Sequence, residues 1–217
     1  MVVGPNNQIT SDGTYNYAYD DEGNLVLKTN ISTGEYTEFA YDHRNRMTSA
    51  KTYSSGAVLL QEVEFIYDLF DRRIAKTVDA DGAGPGVAVT VYTAYDGEHA
   101  WADFDGTGAV VARYLFGDRI DEIIARWRPA EGTAWYLTDH LGTVRDLVDD
   151  AGTLINTITY DSFGNIVSQT DPTKGDRFTF TGCEFDPEID LYYYRAQHFD
   201  SATCTRIGAL TTFLIVV

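Results

Sequence analysis

The chain is short of cysteine, of basic residues, of helix-forming periodicity and of long apolar runs, and each shortage removes a class of protein. Its two cysteines, Cys183 and Cys204, supply neither a disulfide framework nor the paired spacing of a zinc site, so free thiols are expected at both. Lysine and arginine number 16 against 33 acidic residues, and the formal net charge of −17 repels nucleic acid and anionic membrane surfaces. The opening MVVGPNNQITSDG has no basic region followed by an apolar stretch, so no secretory signal is expected. The closing ALTTFLIVV, residues 209–217, is too short to span a bilayer. The four histidines, His43, His99, His140 and His198, have no short metal-ligand spacing, and three of them fall in or beside turns where exposure is expected. Helical signal is confined to Asp118–Arg128, where Ile120, Ile123, Ile124 and Trp127 suit buried strand better and Pro129 ends the element.

What the chain does have is one turn, written many times. Asp139-His-Leu-Gly142 and Asp161-Ser-Phe-Gly164 each put Asp first, where its carboxylate caps turn amides, and Gly fourth, where the backbone turns left-handed. Tyr19-Asp20-Asp-Glu-Gly23-Asn24-Leu25 matches Tyr160-Asp161-Ser-Phe-Gly164-Asn165-Ile166 position for position. Tyr41-Asp42-His-Arg-Asn45 and Tyr67-Asp68-Leu-Phe-Asp71 keep the frame with Asn or Asp in fourth place, and Tyr95-Asp96-Gly97 keeps its opening. The turn aspartates at 20, 42, 68, 96, 118, 139 and 161 are 22, 26, 28, 22, 21 and 22 residues apart. Return turns lie between them, at Ser32–Glu35, Ser54–Gly56, Asp79–Gly86, Asp105–Gly108 and Asp149–Gly152, and the flanks alternate with β-branched residues. A repeat of this length predicts an all-β stack of antiparallel hairpins, each burying its face only against its neighbours.

These tyrosine-aspartate units, with TDHLGTVRDLVDDAGTLINTITYDSFGNIVSQT, Phe180-Thr-Gly182 and Leu191-Tyr-Tyr-Tyr-Arg195-Ala196, resemble the Rhs/YD-repeat proteins and their repeat-associated core over roughly residues 12 to 208. The resemblance implies a β-sheet ribbon that spirals into a hollow shell around a toxic C-terminal polypeptide. The family is typically secreted or at the cell surface, and its core closes the shell and in many members cuts itself just beyond. It divides the chain into a lead-in (1–11), degenerate YD-type hairpin repeats (12–135), a core-like region (136–208) and a divergent apolar tail (209–217). The family's C-terminal pattern, about TGREYDxETGLYYYRARYYDPxxGRFLSxDP, becomes TGCEFDPEIDLYYYRAQHFDSATCTRIGALTT here. Cys183, Asp190, Gln197, His198, Phe199, Ser201, Cys204 and Thr205 depart from it, and Leu210 stands at the second Asp-Pro. The arginine and Asp-Pro that the resemblance associates with self-cleavage are therefore missing.

Other chemistry is outweighed by turn chemistry. The carboxylate pairs Asp20-Asp21, Asp103/Asp105 and Asp149-Asp150 recur at turns, as amide capping requires. Asp79-Ala-Asp81-Gly82 and Asp103-Phe-Asp105-Gly106 lack the late Glu of a calcium loop. No Gly-x-Ser-x-Gly nucleophile elbow occurs. Tyr192-Tyr-Tyr194 either offers stacking faces to a sugar or peptide, or packs as a strand on neighbouring hairpins. The expectation is a structural segment of an Rhs-type shell, truncated or decayed and without toxin cargo, with no catalytic, cofactor or metal residues. An autoproteolytic core and a carbohydrate-binding surface module are the other classes. Expected partners are further YD-repeat segments, a C-terminal toxin in the parent family, and other copies of the chain. Self-association would run through sheet edges near Tyr15–Tyr19 and Tyr192–Phe199, helped by the apolar Phe213–Val217.

Overall fold

The computed structural model describes residues 1–195 and 197–208; the apolar tail lies outside the described residues. The repeated turn forms as its chemistry requires. Asp42 Oδ1 accepts from the amides of Arg44 and Arg46 (2.9 and 3.1 Å), and Asp68, Asp139 and Asp161 cap their own turns in the same way. The fourth residue is left-handed whichever type occupies it: φ is 91° at Gly23, 59° at Asn45, 65° at Asp71, 80° at Gly142 and 96° at Gly164. Pairing register shifts one residue before the turn, between Ala18 and Tyr19, Ala40 and Tyr41, Ile66 and Tyr67, and Thr159 and Tyr160. At each of these bulges the repeat tyrosine reaches back one unit. Tyr41, Tyr67, Tyr95 and Tyr160 donate their hydroxyls to the carbonyls of Leu25, Met47, Arg73 and Val144, at 2.8 to 3.1 Å. Every acceptor opens the strand that follows the preceding turn. The Tyr-Asp pair thus closes its own hairpin with Asp and ties that hairpin to the previous one with Tyr.

Repetition of this joint gives a sheet of sixteen strands, from Val2–Val3 to Ile166–Gln169, in which each strand pairs antiparallel with the next in sequence. We call it the wall. Asp118 to Asp121 form a turn, and the expected strand starts beyond it, as Ile123–Arg128. A second sheet of four strands, Glu184–Asp186, Leu191–Tyr194, Gln197–Asp200 and Thr205–Ile207, is also a meander. This inner sheet packs on one face of the wall.

Alternation decides which face. Phe39, Met47, Ala50, Val63 and Phe65 point inward and bury against Leu191 and Ile207 of the inner sheet. Further along, Tyr114, Ile123, Tyr136, Val144, Leu147 and Ile158 form a second cluster around Phe178, in the segment leading to the inner sheet. Fully burying one such side chain is worth roughly 1.5–3 kcal/mol. The expected sheet edges are corrected here. Tyr15–Tyr19 pairs on both sides, with Ile9–Ser11 and Leu25–Asn30, and Tyr192–Phe199 lies within the inner sheet. The wall's outermost strands are Val2–Val3 and Ile166–Gln169.

Candidate functional site

Between wall and inner sheet lies a network of buried charge, and it is the chemical feature that the repeat alone does not require. Its centre is Arg73, the first residue of strand Arg73–Asp79. The Arg73 guanidinium donates to Asp186 Oδ2 at 2.5 Å and to Glu184 Oε2 at 2.6 Å. It also lies 4.3 Å from the Tyr193 ring centroid and 5.0 Å from that of Phe65. Lys76, on the same face, adds bonds to Asp186 (2.8 Å) and Glu188 (2.6 Å). Arg73 and Asp186 are 4% and 1% exposed, so these are charges removed from water and matched by opposite charge. Burial alone would raise the Asp186 carboxyl, but Arg73 and Lys76 outweigh it and hold the group well below the usual carboxylate range.

A second set of bonds fastens the segment that precedes the inner sheet. Arg177 Nη1 donates to Asp103 Oδ2 at 2.5 Å, and Tyr114 donates to the same carboxylate at 2.9 Å. Asp176 accepts from the Tyr136 hydroxyl and lies 3.4 Å from Arg126 Nε, while Arg126 Nη2 donates to the Lys174 carbonyl at 2.6 Å. Farther out, Lys28 approaches Asp200 at 3.6 Å and Gln61 donates to the Glu188 carbonyl. A cavity of about 660 Å³ remains between the sheets, with Val78, Val91, Ala112, Phe185 and Pro187 among its apolar lining and the Arg73 and Arg177 networks among its polar lining.

The residues singled out in the sequence fall into place unevenly. Asp105 and Asp149 cap turns, and Asp79 and Asp81 spend carboxylate oxygens on the amides of Gly82 and Gly86. Asp103 departs from the turn-pair reading, because it points inward to Arg177. The stacking-face reading of Tyr192-Tyr-Tyr194 is corrected: Tyr192 and Tyr193 are buried, their hydroxyls bound to the carbonyls of Gly164 and Asp71, and Tyr194 shares a hydrogen bond with Thr181. Phe180, Phe185 and Phe199 surround the Tyr192 ring. Cys183 is a buried free thiol, pushed up to about 12 mainly by burial, and Cys204 is free and exposed. Of the histidines, His43 and His140 are exposed, but His198 is buried at the centre of the interface. Among the described residues no group of three or more His, Cys, Asp or Glu side chains is placed to hold a metal ion, and no helix is long and apolar enough to cross a membrane. Sequence reasoning missed Arg73, Lys76, Arg126 and Asp186, and gave Asp103 the wrong role, because nothing local separates a charge that meets a distant partner from one facing water.

Comparison with known proteins agrees with this architecture. The teneurin YD-shell family model matches residues 1–208. The tRNA3(Ser)-specific nuclease WapA of Bacillus spizizenii is 27% identical over 199 residues, covering 90% of this chain and 7% of WapA. Toxin protein Tse5 of Pseudomonas aeruginosa is 28% identical over 214 residues, covering 84% of this chain and 16% of Tse5. The chain therefore spans a small part of these relatives' length. Among solved structures, the TcdB2-TccC3-Cdc42 crystal structure superposes with a TM-score of 0.54 at 12% identity, over 97% of this chain and 15% of the other. The Photorhabdus luminescens Tc holotoxin pore gives 0.53 at 12% identity, over 95% and 14%. With the family model matched over residues 1–208, the chain belongs to the teneurin YD-shell family, as a structural segment of an Rhs-type β-sheet shell.

Proposed function

We propose that the chain works as a piece of container: the wall is a stretch of shell, and residues 171–208, the part of the core-like region 136–208 that lies beyond the wall's last strand, are its closure, held against the inner face by the Arg73 and Arg177 networks. The observation that carries this reading is the buried ion cluster of Arg73, Lys76, Glu184, Asp186 and Glu188, which joins elements more than a hundred residues apart in sequence. Ions buried this way hold one docking geometry, because any other arrangement strands a charge away from water. The partners that fit are further YD-repeat strands, added at the wall's end strands, and a polypeptide enclosed against its inner face; the toxin and nuclease names of the relatives make a toxic cargo the candidate.

In this proposal the chain does not cleave itself. Asp200, the acid nearest the family's cleavage region, is 2% exposed, receives the amides of Ala202 and Thr203, and faces Lys28, an arrangement that holds a turn. Mass spectrometry of the purified chain after prolonged incubation tests the point. An intact mass of 24.2 kDa agrees with it. A discrete C-terminally shortened species, abolished by one aspartate substitution, would place the chain among autoproteolytic cores. The container reading is tested separately, by adding neighbouring YD-repeat strands at the wall's ends and asking whether an enclosed polypeptide becomes resistant to protease.

A further inference from the structure

His198 sits where the inner sheet meets the wall, and its surroundings leave no good place for a proton. The imidazole is 3% exposed, and its Nε2 is buried without a hydrogen-bond partner. Its ring lies 5.7 Å from that of Phe65, on the wall, and 5.4 Å from that of Tyr193, on the neighbouring inner strand. The wall strand Arg73–Asp79 presents two cations to it, Arg73 and Lys76. The strand Glu184–Asp186 presents one anion, Asp186, whose Oδ2 is 3.9 Å from Nε2. That carboxylate already serves both cations, at 2.5 and 2.8 Å. Of the remaining neighbours, Ile207 pairs opposite His198 and is apolar, and Asp200 on its own strand faces Lys28. A proton placed on His198 would have to share Asp186 with Arg73 and Lys76, whose other partners, Glu184 and Glu188, serve those cations, and it would sit on a ring removed from bulk water.

We propose that His198 is an acid-sensing group whose protonation loosens the inner sheet from the wall. The inference rests on the wall-and-core reading above and adds its regulation. The device is geometric: below about pH 6.5 the imidazole stays neutral only while the two sheets are packed, and it recovers water and an ordinary affinity for protons once they part. Burial is the main cause of its lowered affinity, with Arg73 and Lys76 adding to it and Asp186 opposing, and the docked group titrates at about 4. The sign follows. The parted state binds the proton below about pH 6.5, the ordinary histidine value, and the docked state does not until about 4. Docking is therefore unaffected above about pH 6.5 and weakens as pH falls from there to about 4, by up to roughly ten-fold per unit.

The test is hydrogen exchange followed by mass spectrometry on the full chain between about pH 7.5 and 4.5, with rates corrected for intrinsic exchange, in the native sequence and in His198→Phe. Phe keeps an aromatic ring between Phe65 and Tyr193 and removes the titration. The expected result is that peptides covering residues 184–207 are protected near neutral pH and lose protection on acidification, while wall peptides covering 36–67 lose much less. In His198→Phe the acid loss at 184–207 shrinks toward that of the wall. Equal loss in both proteins overturns the inference while leaving the container reading intact. Absence of protection at 184–207 near neutral pH instead overturns the wall-and-core reading beneath it. Should His198→Phe fail to fold, an NMR titration of the native imidazole decides: a midpoint near 4 supports the inference, and one at 6 or above refutes it.

Discussion

Replacing Arg73 with methionine removes one guanidinium from the interface while keeping an unbranched apolar stem between Phe65 and Tyr193. Arg73 is 4% exposed and binds two carboxylates, Glu184 and Asp186, themselves 12% and 1% exposed. Removing one partner of a buried pair typically costs about 3–5 kcal/mol, because the other is left charged and unsolvated. Two features place this case near the lower end. Lys76 remains 2.8 Å from Asp186, and Arg177 Nε remains 3.3 Å from Glu184. The expected cost of Arg73→Met is about 3 kcal/mol, measured by urea denaturation near neutral pH, a large share of the roughly 5–15 kcal/mol available to a domain. Asp186→Leu alone should cost a similar amount, because it leaves Arg73 with Glu184 alone and Lys76 with Glu188 alone. If the pair is a unit, Arg73→Met/Asp186→Leu should cost less than the sum of the two by about 1–3 kcal/mol. A loss below about 1 kcal/mol for Arg73→Met, or strict additivity, would show that the cluster is hydrated and that apolar packing alone holds the sheets together.

Further outcomes follow from the turns and joints. Gly164→Ala should cost about 2–4 kcal/mol in thermal or urea unfolding and Gly142→Ala about 1–2: both sit at positive φ, but a Cβ on Gly164 falls 2.6 Å from the Phe180 ring, whereas on Gly142 its nearest contact is the Thr181 backbone at 3.8 Å. Equal costs would mean that Phe180 moves aside freely. Tyr41→Phe and Tyr67→Phe, which each delete one hydroxyl bond to the preceding hairpin, should each cost about 1 kcal/mol by the same assay, and no measurable change would remove the tyrosine from the joint between units. With a thiol reagent under native conditions near pH 8, Cys204 should react promptly and Cys183 only as the chain unfolds; equal rates would contradict the burial of Cys183. Because the wall's end strands leave backbone groups for pairing while a net charge of −17 opposes contact, light scattering should show association rising with salt. A monomer at every salt concentration would mean that these edges are covered.

The wall was legible because its information is local. Asp capping its own turn, Gly, Asn or Asp at the left-handed fourth position, and β-branched alternation between turns are all written within a dozen residues, and the hairpins formed where those signals stood. The tyrosine's role was only half legible: its recurrence marked the unit, but the carbonyl it reaches lies sixteen to twenty-two residues back in four of the joints. The resemblance implied a core-like region over 136–208 but no separate inner sheet, and the strands around Tyr192–Phe199 were expected at an exposed edge and are instead interior. Their tyrosines fill the gap beneath Gly164 and Asp71, contacts that no short-range pattern encodes. The same holds for the interface charges. Arg73 stands in the position after a turn, next to Arg72, whose side chain binds its own turn aspartate, Asp68, and nothing in the sequence says that one of the two arginines turns inward to meet Asp186. His198 likewise shows only as a departure from a tyrosine-rich pattern. Its burial depends on two wall strands far from it in sequence, Leu59–Tyr67 and Arg73–Asp79.

The central claim, that the C-terminal segment folds back onto the inner face of the wall, is tested most directly by zero-length carbodiimide cross-linking, read by peptide mass spectrometry on the monomeric fraction. Lys76 Nζ lies 2.6 Å from Glu188 and Lys28 Nζ 3.6 Å from Asp200, while Lys51 Nζ lies 2.7 Å from Glu62 within the wall and serves as the internal control. The account predicts Lys76–Glu188 cross-linked peptides in yield comparable to Lys51–Glu62, with Lys28–Asp200 at lower yield. Formation of the wall link with no link from Lys76 or Lys28 to residues 184–200 would contradict it.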